Sequence, residues 1–216
     1  GRVNGAAAYA LKARALLYRA SKLNNPDGNT AYWANAAQAA ADFITQNNKQ
    51  SYPYRLYNTG NPENDYYECF TTNPVYNNEI ILARSVWNTN QVEKVFLPVG
   101  FTGSFSGNGR TNPTQNLVDA YEMSNGKRID ENGSTYDAAN PYKDRDPRLA
   151  QTIFYQGMMW GRADKEERRA IDVRYNSDAD KGVDYTSAMG GTYTGYYLKK
   201  YVNNICLLYT SDAADE

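Results

Sequence analysis

Chemistry near neutral pH most often begins with histidine, and this sequence of 216 residues contains none. That removes Ser-His-Asp and Cys-His nucleophile systems, imidazole-ligated zinc and the usual general base. Two cysteines are too few for a four-thiolate metal site or a disulfide scaffold. The remaining acid–base groups are carboxylates: Glu63 and Asp65 in NPENDYYE, and Asp144 and Asp146 in DRDPR. A carboxylate pair suffices for glycoside hydrolysis, but spacing in sequence does not give separation in space. Asp144, Arg145, Asp146 and Arg148 most simply make a turn, a helix cap and local ion pairs. Calcium accepts acidic and amide oxygens, but no EF-hand-type spacing supports it. No other cofactor is indicated.

The excess in this composition lies elsewhere, in 20 tyrosines and 24 asparagines. A protein grips carbohydrate by placing an aromatic ring under the apolar C–H face of the sugar. Amides, carboxylates or arginine then meet the hydroxyl edge. Tyrosine and tryptophan do this at low entropic cost, having two side-chain torsions. Tyrosine and asparagine also accumulate in ordinary loops, so composition alone does not choose a ligand; the candidate ligand-binding residues are Trp160, Phe101, Phe105, Tyr66, Tyr67, Tyr76, Trp87 and Asn108. Each has a second reading. Trp160, in YQGMMWG, either stacks on a ligand or plugs the core with Met158 and Met159. Phe101 and Phe105 share a Gly/Ser/Asn loop with Asn108, and either reach ligand or anchor that loop. Tyr66, Tyr67 and Tyr76 lie in a Tyr/Asn-rich stretch with the same ambiguity. Trp87 belongs to a rim or to the core, whereas Trp33 is read as core.

These residues need elements to position them. Residues 5 to 23 are rich in Ala, Leu, Lys and Arg and predict a helix with a face through Ala7, Leu11, Ala15 or Leu16 and Ala20. NNPDGN (24 to 29) predicts a turn. A second helix is expected from about Thr30 to Gln46, its stripe made of Trp33, Ala36, Ala37, Ala40, Phe43 and Ile44. Small side chains let two such helices approach closely, as in tetratricopeptide repeats, and one pair alone leaves an apolar face uncovered. From 51 to 78 periodicity fades. Glu79 to Val86 (EIILARSV) predicts a strand, and Asn112-Pro113 predicts a helix start running toward Gly126. Asp146-Pro147 predicts another start, 161 to 195 shows no clear pattern, and Tyr196 to Val202 predicts a strand. The fold class is mainly α, an α-α superhelix of tetratricopeptide-like type, with an irregular loop-rich α+β region carrying short strands.

The last eleven residues, CLLYTSDAADE, back-translate into the transposase adapter used in preparing sequencing libraries. The expected division is therefore a helix pair at 1–50, a loop-rich region at 51–205, and a non-native tail at 206–216. Without Asp212, Asp215 and Glu216 the formal net charge moves from −1 to +2. Neither balance includes a basic tract, so nucleic acid is not an expected partner. No run of about 18 apolar residues is present.

Five segments, taken in chain order, resemble the SusD/RagB family: GAAAYALKARALLYRAS, NNEIILARSV, PTQNLVDAYEMSNGKRI, YKDRDPRLAQTIFYQG and GYYLKKYV. The resemblance covers nearly all of 1 to 205 and corresponds to an internal part of the family chain. It implies a lipid-anchored, surface-exposed glycan-binding protein of the Bacteroidetes outer membrane. Such a protein sits as a lid on a TonB-dependent (SusC-like) transporter and passes it oligosaccharides. The family's lipid-bearing cysteine is not in this segment, and Cys69 is too far inside the chain to replace it. In the family, ligand contacts come from variable loops, so no ligand-binding residue carries over by motif. The expectation is a non-catalytic nutrient-uptake protein. A glycoside hydrolase using a carboxylate pair and a pure protein-docking scaffold are the alternatives.

Overall fold

Alanine fills the first helices, and its small side chain decides how they pack. The computed structural model describes residues 3–73, 76–83, 91–101, 107–161, 168–187 and 190–202. Helices α1 (Gly5–Ala20) and α2 (Thr30–Asn48) form an antiparallel pair. The Asn4 side chain accepts from Ala7 N at 3.0 Å and the Asn29 side chain from Ala31 N at 3.0 Å, so each helix starts on an asparagine cap. The turn between them is held by Asn25, which is buried. Its amide donates to Asn29 O at 3.0 Å and accepts from Asn29 N at 2.8 Å.

The inward faces match the expected ones in part: Ala7, Ala20 and Ala36 are buried as expected, while Ala39 replaces Ala37 and Ala40. Ala7 and Ala20 of α1, with Ala36 and Ala39 of α2, are the buried residues. Leu11 faces outward, and so does Trp33, which is 50% exposed rather than core. The stripe of α2 is two adjacent stripes. Tyr32, Ala36, Ala39 and Phe43 lie on the covered side, while Trp33, Ala37, Ala40 and Ile44 recur at helical spacing on the open side.

The described residues fall into two units, one within Gly1–Thr59 and Thr72–Trp87, the other within Gly60–Thr71 and Asn88–Glu216. The first holds α1 and α2. The expected strand from Glu79 does not form over 79–83, and 84–86 lie outside the described residues. Side-chain bonds compete there: Glu79 N donates locally to Asn77 Oδ1 at 2.9 Å, and Glu79 Oε2 accepts from Tyr57 N, 22 residues away, at 2.7 Å.

Among its described residues the second unit holds α3 (Pro62–Thr71), α4 (Gln91–Phe96), α5 (Gln115–Ala120), α6 (Pro147–Thr152) and eight short strands. The helix expected from Asn112 starts instead at a Thr114 cap, because the Asn112 amide is committed to tertiary bonds. It stops at Ala120, where buried Arg145 takes the carbonyls of Val118 and Tyr121 at 2.7 and 2.8 Å. Asp146 caps α6 as expected, accepting from Arg148 N at 2.9 Å.

The strands pair as four antiparallel ribbons. They are β1 (Ile153–Phe154) with β8 (Tyr197–Leu198), β2 (Met159–Trp160) with β3 (Arg169–Ala170), β4 (Tyr175–Ser177) with β5 (Asp180–Lys181), and β6 (Thr186–Ser187) with β7 (Gly190–Gly191). The strand expected over 196–202 is reduced to Tyr197–Leu198. Its side-chain alternation still matters. Phe154 and Tyr197 enter one core cluster with Leu97, Phe101, Trp160 and Ile171, while Ile153 and Tyr196 enter a second with Val118 and Leu149. Each fully buried side chain of this size contributes about 1.5–3 kcal/mol. The fold is thus helix-rich, with long loops and few, very short strands.

Candidate binding site between two hairpins

Two-residue strands cannot hold a site by ladder bonds alone, so side chains do it. Asp184, fully buried, accepts from Arg169 Nη1 at 2.6 Å and Nη2 at 2.9 Å, from Asp172 N at 2.8 Å and from Gly100 N at 3.2 Å. Tyr197 Oη donates to its backbone carbonyl. A buried carboxylate this fully satisfied fixes the turn that presents Tyr185. Arg174 clamps Asp172 through two bonds of 2.7 Å, and this guanidinium holds the Asp172 carboxyl down to about 2.

The second brace is the segment before α5. Asn112 donates to Gly109 O at 2.9 Å and Tyr196 O at 3.3 Å, and accepts from Tyr193 N at 3.3 Å. Buried Thr192 accepts from Tyr196 N at 3.1 Å and donates to Tyr196 O at 2.8 Å. Gly190 must be glycine, since a Cβ there would overlap the Asn108 carbonyl. Gly109, at φ 54°, has no room for one beside the Tyr197 ring.

Between the β4–β5 and β6–β7 hairpins these braces leave a cleft of about 600 Å3. Tyr175 and Tyr185 stack on its wall, with ring centroids 4.8 Å apart and planes at 28°. Tyr193 stands 98% exposed at its edge. Arg110, Lys181 and Asp178 supply charge. The Asp178 carboxylate, beside Tyr175, pushes the Tyr175 phenol above its ordinary range. Exposed rings beside fixed polar groups can stack on a flat apolar face and hydrogen-bond its rim.

The sequence-based candidates lie mostly elsewhere. Trp160 is 5% exposed and packs edge-on against Phe154, with centroids 4.7 Å apart. Phe101 is 5% exposed, with the Arg169 guanidinium 4.0 Å from its ring centroid. Both rings are interior, so of their two readings the structure places them as core and loop anchor. Tyr67 and Trp160 do meet, around the Lys199 ammonium, at 5.7 and 5.6 Å. Tyr66 packs edge-on against Phe70 at 5.1 Å. Tyr76, in the other unit, is 77% exposed. Asn108 adjoins the hairpin cleft through its backbone. Phe105 and Trp87 lie outside the described residues. Tyr175, Tyr185, Tyr193, Arg110, Asp178 and Lys181 were not among the candidates. For Tyr185 and Tyr193 the sequence signal is the recurrence of tyrosine around a Gly-Gly pair in DYTSAMGGTYTGYY, which periodicity does not weigh.

Among the described residues no group of three or more His, Cys, Asp or Glu is placed to hold a metal ion. No helix among them is long and apolar enough to cross a membrane.

A comparison with curated proteins finds no match. Solved structures do match. A SusD-like protein from Bacteroides fragilis superposes with a TM-score of 0.61 at 23% identity, covering 94% of this chain and 37% of that one. The protein BT4246, solved in selenomethionine form, gives 0.65 at 18% identity, covering 94% and 46%. The chain therefore spans less than half the length of either, and at these identities the likeness shows the fold. The model of the SusD family matches residues 33–214, most of the sequence, and the chain belongs to that family.

Proposed function

We propose that this chain is part of a non-catalytic, surface-exposed carbohydrate-binding protein of the outer membrane. It captures oligosaccharides and passes them to a TonB-dependent, SusC-like transporter. A lipid anchor carried elsewhere in the longer protein holds it to the membrane. The observation that carries this reading is the hairpin cleft of a SusD-family chain, with a stacked tyrosine pair on its wall and a nearly fully exposed tyrosine at its edge. One carboxylate, Asp178, lines the cleft among the described residues, where hydrolysis by the usual mechanism needs two. Asp146, a candidate acid by sequence, is spent on capping α6. The Arg148 guanidinium holds its carboxyl below the ordinary range, opposite to what a general acid requires.

The helix pair fits the same reading. Trp33, Ala37, Ala40 and Ile44 form a second apolar stripe. One repeat of a tetratricopeptide-like superhelix would cover that stripe with its neighbour. Shallow, solvent-competed hydrogen bonds each net about 0.5–1.5 kcal/mol, so the site is expected to be weak. Weak capture is useful where local concentration is high, as beside a transporter. Calorimetry against a panel of oligosaccharides is the test. Heat with at least one, with affinity weakened roughly five- to tenfold in Tyr193→Ala, is expected, and silence across the whole panel would remove the reading.

A further inference from the structure

We propose that the hairpin cleft selects acidic carbohydrate. The ligand class is an oligosaccharide bearing uronate carboxylates, held by Arg110 and Lys181 while a sugar ring lies on tyrosine. This rests on the carbohydrate-binding reading and narrows it.

A cleft for neutral sugars would offer side-chain amides and aliphatic hydroxyls, but here those groups are committed to the fold. The Asn112 amide is bonded to Gly109 O, Tyr196 O and Tyr193 N. Thr192 Oγ1 is bonded to both backbone atoms of Tyr196, and Thr186 Oγ1 to Gly190 O at 3.4 Å. What faces the cleft uncommitted, besides tyrosine hydroxyls, is cationic. Arg110 is exposed and its guanidinium meets no carboxylate among the described residues, whereas Arg128, Arg148, Arg169 and Arg174 each hold one. Its backbone is fixed, with Arg110 N donating to Val95 O at 2.8 Å and Gly109 N to Leu97 O at 3.0 Å. A free guanidinium on a fixed backbone is a ready fork for a carboxylate.

Lys181 is barely committed. Its ammonium lies 3.9 Å from Asp178, whose side chain is 92% exposed. A pair that long and that wet contributes almost nothing, so a ligand carboxylate can displace it. Arg110 and Lys181 against Asp178 leave the lining with one net positive charge. The rings then separate a sugar acid from a bare polyanion: Tyr193 and Tyr175, 98% and 51% exposed, need a flat apolar face.

The experiment is calorimetry on the protein with uronate oligosaccharides: oligogalacturonate, oligoalginate and a glucuronate-containing oligomer. Each is set against its carboxyl-reduced neutral counterpart. For at least one pair the acidic member is expected to bind about tenfold more tightly. Arg110→Gln should bring the two within about twofold, and Arg110→Lys should keep part of the gap. Arg110 is exposed, and equal unfolding midpoints of wild type and variant check that the fold is kept. If the neutral members, or unrelated neutral oligosaccharides, bind as well as the acids, the inference is overturned and the carbohydrate reading stands. If no carbohydrate of either kind binds, both fall. An acid preference untouched by Arg110→Gln, or equal affinity for poly-L-glutamate or single-stranded DNA, would also overturn it.

Discussion

The cleft of the helical unit and the cleft between the hairpins are built from the same surplus of tyrosine and amide. In the helical unit a cleft of about 400 Å3 is lined by Tyr9, Phe43, Tyr52 and Tyr54 with Asn4, Gln46, Asn47 and Gln50, and no charged residue. Its amides are largely consumed in holding the chain that follows α2. Asn47 accepts from Tyr54 N at 2.8 Å and donates to Tyr54 O at 3.0 Å, and Asn4 donates to Tyr54 Oη at 2.9 Å. Between the hairpins, asparagine and threonine are likewise consumed, but arginine, lysine and tyrosine remain. Two clefts with similar rings therefore differ in what they can still bond, and that difference separates a structural crevice from a binding site.

The comparison breaks most visibly at the support beneath the hairpins. Asp184→Ala strands the Arg169 guanidinium and leaves two backbone N–H groups without their acceptor. A loss of about 3–5 kcal/mol is expected in denaturant unfolding. Its counterpart in the helical unit, Asn47→Ala, removes two neutral bonds and is expected to cost about 1–2 kcal/mol. Equal costs would mean that the hairpins do not depend on Asp184 as the geometry says.

A second difference is pH. Lys199, beside the hairpin unit's core, donates to Ala150 O at 2.7 Å, and burial brings its pKa from 10.5 down to about 8. The folded state favours the neutral amine. The unfolded chain therefore binds more protons between about pH 8 and 10.5, and stability rises with pH across that window. Below about pH 8 the cost is constant, on the order of 3 kcal/mol. Lys199→Met should flatten the rise, measured as the wild-type minus variant unfolding free energy from pH 7.5 to about 9.5. An unchanged difference across that range would show that the ammonium is not buried.

How far each region could be read in advance follows from where its forces act. Local chemistry was legible: alanine-rich helices, the Asn24–Asn29 turn and the Asp146 cap depend on neighbours a few residues away. The five-segment resemblance pointed to the family that the residue 33–214 match then showed. The hairpins were not legible, because strands of two or three residues have no period to detect. They are held by Asp184 and Asn112 reaching across the chain. Trp33 was misread because a stripe wide enough for two faces looks like one in sequence. The site candidates followed aromatic rings on glycine-flanked loops. That signal located Trp160 and Phe101, which the core claimed, and passed over Tyr193, whose exposure depends on bonds made by Asn112.

The finest test of the comparison is a matched pair of tyrosines. Tyr193 and Tyr52 are 98% and 94% exposed, so neither Tyr193→Ala nor Tyr52→Ala should shift stability by more than about 0.5 kcal/mol. A ring that stacks on a sugar is worth about 1 kcal/mol, so Tyr193→Ala should weaken binding of any oligosaccharide ligand by roughly five- to tenfold. Tyr52→Ala should leave it within about twofold, because the crevice beside Tyr52 has few donors left to fix a ligand's orientation. Ring exposure is the same at both positions, so any difference between the variants reports the uncommitted polar groups. If Tyr52→Ala lost as much as Tyr193→Ala, exposed rings alone would suffice for capture, and the division between crevice and site would fall with it.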